Sequence, residues 1–288
     1  MSGPTPTIED PKGLLSSADH ERDMERIALQ VTRIEAPYPS VRRVVGTVAP
    51  KDPQQWLHPN LAVRMDLEAA ANGGMINRIY TIRSYDPATH QVEIDFVLHR
   101  DDSPAMRWLA QAGAGTVVMM KGPRPHTLPH YETAKPVAIF ADDTALPAVQ
   151  AMLRAWPQDA RRGHVWIDTA DEAAFAALDC PAGVEKHLLR RPDDLPAGYA
   201  RLLLAAARQH LSAPLDWTVW AAGERAEMQE LRSFLKSAGL MREDMRLLGY
   251  WRLGQTSSEL DIERLAIYEK IRSAGLGLEE LRDLEAAP

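Results

Sequence analysis

Gly122–Pro136 reads G-P-R-P-H-T-L-P-H-Y-E-T-A-K-P, with four prolines in fifteen positions. Neither a helix interior nor an inner strand tolerates that density, because each proline lacks an amide hydrogen and fixes φ. The stretch reads as a domain boundary, and the hydrophobic period differs on its two sides. Upstream, Ala28–Glu35, Val41–Val48, Leu61–Glu68, Ile76–Arg83, Gln91–Leu98 and Thr116–Gly122 are short and rich in branched residues. The turn formers A-P-Y-P-S, N-G-G and D-P-A-T-H separate several of them. Q-V-E-I-D-F-V-L alternates, with Val92, Ile94, Phe96 and Leu98 on one face. Closely spaced strands of this kind predict an antiparallel barrel or sandwich.

Downstream, P-V-A-I-F, H-V-W-I-D, V-E-K-H-L, D-W-T-V-W-A and M-R-L-L-G-Y-W are compact apolar runs. Helix-like stretches fall between them at Thr144–Trp156, Glu172–Leu178, Gly198–Leu211 and Glu224–Ala238. The last shows Met228, Leu231, Phe234 and Leu235 at helical spacing. Strand and helix in alternation predict βαβ units on a mostly parallel sheet, with ligands beyond the carboxyl ends of its strands. The expected organisation is a lead-in (1–18), a β-barrel (19–135), an α/β domain (136–254) and a helical C-terminal extension (255–288).

The chain has 288 residues, 45% hydrophobic and 25% charged, with a formal net charge of -7. That balance predicts a folded core and argues against nucleic acid as a general partner, which needs a basic face. The single cysteine, Cys180, excludes an internal disulfide framework and any cysteine-rich metal centre. No signal-like or membrane-length apolar run is visible, so a cytoplasmic protein without membrane contact is expected.

Five stretches carry candidate chemistry. In R-I-Y-T, Arg78 offers a guanidinium for phosphate, Tyr80 a ring for stacking, and Thr81 a hydroxyl for a ring edge. The set suits a flavin nucleotide; an amphipathic strand with an exposed arginine is the plain alternative. In D-F-V-L-H-R-D-D-S-P-A-M-R-W, a strand ends near Leu98–His99 and Ser103-Pro104 starts a helix, an anion site by geometry. Trp108 lies one turn in, either packing on the domain or flanking a nucleotide. In A-D-D-T-A-L-P, Thr144 and Ala145 occupy a strand-to-helix corner without a G-x-G-x-x-G fingerprint. In A-A-G-E, Gly223 permits a tight turn, and Glu224 is a helix cap or a ligand contact with equal standing. In L-L-G-Y-W-R-L-G, Tyr250 and Trp251 follow a strand, with Arg252 beside them.

Taken in order, R-I-Y-T, D-F-V-L-H with S-P-A-M-R-W, D-D-T-A-L-P-A, A-G-E and G-Y-W-R-L-G resemble the siderophore-interacting proteins, flavin-dependent ferric-siderophore reductases similar in fold to ferredoxin reductases. The resemblance runs from about Val31 to Gly254. It implies an N-terminal flavin-binding barrel, a C-terminal nicotinamide-binding α/β domain, FAD with NADH or NADPH, and a ferric siderophore as partner. Carried over, Arg78 contacts flavin phosphate, Tyr80 packs on the isoalloxazine and Thr81 bonds its edge. Val97, His99, Trp108 and the backbone from Ser103 to Ala105 line the rest of the dinucleotide. Asp143, Thr144 and Ala145 lie near the nicotinamide path, Gly223 and Glu224 approach the same cleft, and Tyr250, Trp251 and Arg252 close it. Two positions depart from the family pattern, Arg100 and Ser103, where glycine is usual.

The cofactor carries the reaction, so no side chain is expected to act as acid or base and no resident metal is expected. A basic rim of Lys51, Arg100, Arg124, His126, His130 and Arg252 is expected to attract an anionic ferric siderophore. In H-T-L-P-H, His126 and His130 read as a solvated loop, since Pro129 precludes a regular helical pair. Asp168, ending a strand ahead of Asp171 and Glu172, leans towards NADH, whereas Arg190 and Arg191 lean towards NADPH. The rival readings are a flavin or ferredoxin-type reductase with another acceptor, ferredoxin included, and a siderophore-binding protein without turnover. A monomer is expected.

Overall fold

The computed structural model describes residues 24–70, 74–98, 102–131, 134–159, 162–211, 213, 216–255, 266 and 273. The predicted lead-in 1–18, His99, Arg100 and nearly all of the predicted extension 255–288 lie outside the described residues. The chain divides into two compact units, with residues 24–37 and 41–125 in the first, and 38–40 and 126–254 in the second.

In the first unit, β1 (Glu25–Tyr38), β2 (Val41–Thr47), β3 (Leu61–Ala69), β4 (Met75–Asp86), β5 (Gln91–Val97) and β6 (Val117–Pro125) close into a barrel. Their order around it is β1-β2-β5-β4-β3-β6. Closure explains why β1 starts before the sequence signal: Glu25 and Arg26 are polar, but they pair with Gly122 and Lys121 of β6. Period-2 alternation sends Val92, Ile94 and Phe96 inward. They meet Leu29, Val44, Met65 and Met120, all without solvent exposure. Helix α1 (Pro104–Gln111) lies between β5 and β6 in sequence and adds Ala105, Met106, Trp108 and Leu109 to this core.

The second unit is a five-stranded parallel sheet in the order β11-β10-β7-β8-β9. The strands are β7 (Val137–Asp142), β8 (Gly163–Thr169), β9 (Val184–Arg190), β10 (Thr218–Glu224) and β11 (Met245–Trp251). All six residues of β7 are buried, as expected where helices cover both faces. Val137, Ile139 and Ala141 face α2 (Leu146–Arg154) and α3 (Glu172–Ala176), while Ala138 and Phe140 face α4 (Leu202–His210) and α5 (Arg225–Ser237). The chain changes faces between β9 and β10, so the strand order reverses between β7 and β10. Sheets of this kind bind ligands at such a point, beyond the strand ends.

Candidate functional site

In the barrel, β3 and β5 flank β4. Arg78, Tyr80 and Thr81 are each half-buried. Arg78 donates to the Asn77 carbonyl at 2.7 Å. Tyr80 stacks on Phe96, ring centroids 4.0 Å apart, and Phe96 stacks in turn on Trp108 at 5.4 Å. The ladder forms because β4 and β5 place Tyr80 and Phe96 on one face, and α1 lays Trp108 over them. Burial pushes the Tyr80 phenol well above its ordinary pKa, so this tyrosine is a neutral ring at every physiological pH. The second arginine of the stretch has a structural partner set instead: Arg83 bonds Glu93 at 2.9 Å and Asp95 at 3.2 Å, and Arg43 also holds Asp95.

Helix α1 starts as its sequence dictates. The Ser103 hydroxyl accepts from the Met106 amide, Pro104 occupies the first turn, and that turn carries no acid. Arg107 binds Glu68 and Asp102. The residues here fit a flavin dinucleotide: a guanidinium, a hydroxyl, an aromatic ladder and a helix amino terminus free of acidic side chains in its first turn. Val97 is the last residue of β5, half-buried next to these groups in sequence.

In the second unit three of the sequence motifs converge on one residue that sequence reasoning did not single out, Asp142, fully buried at the carboxyl end of β7. Its Oδ1 accepts from the Thr144 amide at 2.9 Å and the Thr144 hydroxyl at 2.5 Å. Its Oδ2 accepts from Trp251 Nε1 at 2.8 Å. Gly223 faces it from β10, and a Cβ there would lie 2.7 Å from Oδ2. The D-x-T turn, the A-G-E glycine and the G-Y-W tryptophan are therefore parts of one hydrogen-bonded packing unit at the switch point. The available signal was a carboxylate ending an otherwise apolar strand, followed two residues later by threonine. Burial raises the Asp142 carboxyl to about 7, against the hydrogen bonds from Thr144 and Trp251, with Asp143 and Asp168 adding to the rise.

Around Asp142 the strand ends gather more carboxyls. Asp168, the penultimate residue of β8, is almost without exposure and accepts from Arg191 at 2.7 Å and from the Gly198 amide at 3.3 Å. Arg191 also binds Asp143. Glu224 caps α5 through the Glu227 amide at 2.9 Å and accepts from the Leu253 amide at 3.3 Å, so its capping reading holds. Glu227, also unforeseen, reaches from α5 to accept the Leu203 and Leu204 amides of α4, whose own first residues supply no cap. Burial lifts Glu227 to about 7. Arg191 pairs with both Asp143 and Asp168, and Arg201 pairs with Glu224, so these carboxylates are engaged within the protein. Tyr250 adds a buried hydroxyl with no hydrogen-bond partner among the described residues, an opening for a ligand's polar group.

Several expectations change. Asp168 is no free carboxylate for a ribose hydroxyl, because Arg191 and Gly198 occupy it. Arg190 binds Glu172 and Asp193, so neither it nor Arg191 is placed as an open phosphate clamp. The sequence signals for NADH and for NADPH are both internal ion pairs. Ala145 is fully buried in the corner before α2. His130 is not a solvated rim residue: it is half-buried with Nδ1 3.8 Å from Asp244, which Lys135 also binds at 2.6 Å. Lys51, Arg124 and Arg252 are exposed.

Comparison with known proteins bears on this geometry. The family model of the siderophore-interacting FAD-binding domain matches residues 22–127, and that of the siderophore-interacting protein matches 134–254. The ferric acinetobactin reductase of Acinetobacter baumannii is 38% identical over 275 residues, 95% of each chain. The chain belongs to the siderophore-interacting protein family. A solved member, from Acinetobacter baumannii, superposes with a TM-score of 0.82 over 88% of this chain and all of its own, at 38% identity. A ferredoxin NADP+ reductase from Neisseria gonorrhoeae, solved with FAD and NADP bound, shares the fold at 14% identity and a TM-score of 0.60, over 80% of this chain and all of that one.

Proposed function

We propose that this protein is an FAD-dependent ferric-siderophore reductase that draws on NAD(P)H and releases iron as Fe(II). The observation that carries the reading is the pairing, in one chain, of a barrel bearing the Arg78–Thr81 set with a sheet whose switch point is built from the family's own motifs. When bound, FAD would supply the two-electron acceptance and one-electron donation that reduction of Fe(III) by NAD(P)H requires, Fe(III) being held by hard oxygen ligands far more tightly than Fe(II).

The side chains bind and orient. Arg78 and the α1 amino terminus neutralise flavin phosphates, Tyr80 presents its neutral ring, Thr81 donates a hydroxyl, and Val97, His99, Ser103, Ala105 and Trp108 shape the remaining wall. In the second unit Thr144, Tyr250 and Arg252 receive the nicotinamide nucleotide. Asp142 acts there by holding Thr144 and Trp251 in place. Lys51, Arg100, Arg124 and Arg252 attract the anionic ferric chelate. The barrel as flavin domain, the sheet as nicotinamide domain, a monomeric state and a cytoplasmic setting complete the proposal. No described helix is long and apolar enough to cross a membrane.

An anaerobic visible spectrum of the FAD-reconstituted protein tests this. Titration with NADH or NADPH should bleach the flavin, and a ferric catecholate or hydroxamate added with a ferrous chelator should restore it as the ferrous complex forms. Bleaching without transfer to either chelate identifies a different acceptor, such as ferredoxin. Siderophore binding without NAD(P)H oxidation identifies a binding protein.

A further inference from the structure

His164, Glu185 and His187 lie on one face of the second sheet, His164 and Glu185 near the amino ends of β8 and β9 and His187 at the middle of β9, on the side of the sheet away from the switch point. The register places them there: His164 stands opposite Glu185, and His187 follows two residues on along the edge strand β9. His164 Nδ1 is 3.1 Å from His187 Nε2 and 3.8 Å from a Glu185 carboxylate oxygen. One ligand atom from each lies within 4.8 Å of the others. We propose that these three side chains form a binding site for one divalent first-row transition-metal ion.

Two imidazoles, borderline donors, beside one hard carboxylate favour Zn(II), Fe(II), Co(II) or Ni(II) over Mg(II) or Ca(II). An ion about 2.1 Å from both nitrogens would see them at about 95°, between octahedral and tetrahedral values. Glu185, on an exposed side chain, has its carboxylate 3.8 Å from His164 and within 4.8 Å of both nitrogens, and a rotation of that side chain brings it to bonding distance. The rings are already oriented. His164 and His187 each stack on Trp166, at 5.6 and 5.0 Å, and Trp217 meets His164 edge-on. Trp166 is itself buried against Phe140. Strand-borne ligands braced by a packed aromatic wall are held more firmly than loop ligands. Water completes the coordination from the half-exposed side.

The site stands independently of the reductase reading, and Fe(II) belongs among the ions tried. Tag-free, chelator-stripped full-length protein is titrated anaerobically with Zn(II) and Fe(II) by calorimetry, and with Co(II) by visible absorption. The expected result is one equivalent bound, with ligand-field bands for Co(II). His164→Gln and His187→Gln should each weaken binding at least tenfold, about the lower bound for disturbing a metal's ligand set. Glu185→Gln, exposed and harmless to folding, should weaken it by a similar factor, while His58→Gln should leave it unchanged. Absence of binding by the wild type, or equal affinity in wild type and Glu185→Gln together with either histidine variant, overturns the proposal.

Discussion

Replacing Asp142 with asparagine should remove a large part of the pH dependence of stability in the second unit. The carboxyl is fully buried and titrates at about 7 rather than 3.8. Between those values the folded protein holds a proton that the unfolded chain has released. Wild-type stability therefore falls as pH rises through that window and levels off above about pH 7. At about 1.36 kcal/mol per unit the full loss is about 4 kcal/mol, of which about 3 kcal/mol accrues between pH 5 and pH 8. Asparagine keeps the shape and cannot ionise. It offers one acceptor oxygen for donors that now use two, Thr144 on one side and Trp251 on the other, which costs about 1–3 kcal/mol at every pH. Asp142→Asn should thus be near or below wild-type stability at pH 5 and above it at pH 8. Glu227 titrates with the same sign in both proteins and cancels in the difference. Urea unfolding followed by tryptophan fluorescence at constant ionic strength measures the swing. A difference that stays constant to within about 0.5 kcal/mol across that range would refute the reasoning, since it would mean the buried carboxyl ionises normally.

Three further outcomes follow from the same geometry. Arg191→Met leaves Asp168 buried without its cation and should destabilise by about 3–5 kcal/mol, seen as a large fall in midpoint by denaturant titration. Gly198→Ala places a Cβ 2.5 Å from that of Glu224 at a backbone φ of +72°, so about 2 kcal/mol or more should be lost, whereas Gly113→Ala, with open space around it, should change little. Arg78→Ala should raise the FAD dissociation constant roughly 10- to 150-fold, the value of one charge-assisted phosphate contact, with partial recovery in Arg78→Lys; unchanged flavin affinity would remove Arg78 from the site.

Local pattern made the two-part architecture readable. Alternation at Val92, Ile94 and Phe96 marks a half-buried strand, continuous burial marks β7, and the proline run separates the two regimes. These signals are local because side-chain direction repeats every two residues in a strand and every 3.6 in a helix. Ser103-Pro104 likewise specified its helix start without help from elsewhere. The motifs that identify the family were also legible as strings, but their physical meaning was not. Gly223 read as a turn former, yet it is small because Asp142 presses against it. Asp168 and Arg191 read as opposing cofactor signals, yet they neutralise each other.

The sequence alone determined which segments are strands and helices, where the period changes and which residue types a nucleotide would need. Tertiary structure alone decided which charges remain available to a ligand. That depends on partners 23 to 109 residues away, as between Asp168 and Arg191 or Asp142 and Trp251. The same holds for His164 and His187, whose shared face exists only because parallel strands fix their register. A carboxylate or an imidazole has the same letter whether solvated or buried, and only the packing that surrounds it sets its charge and its use.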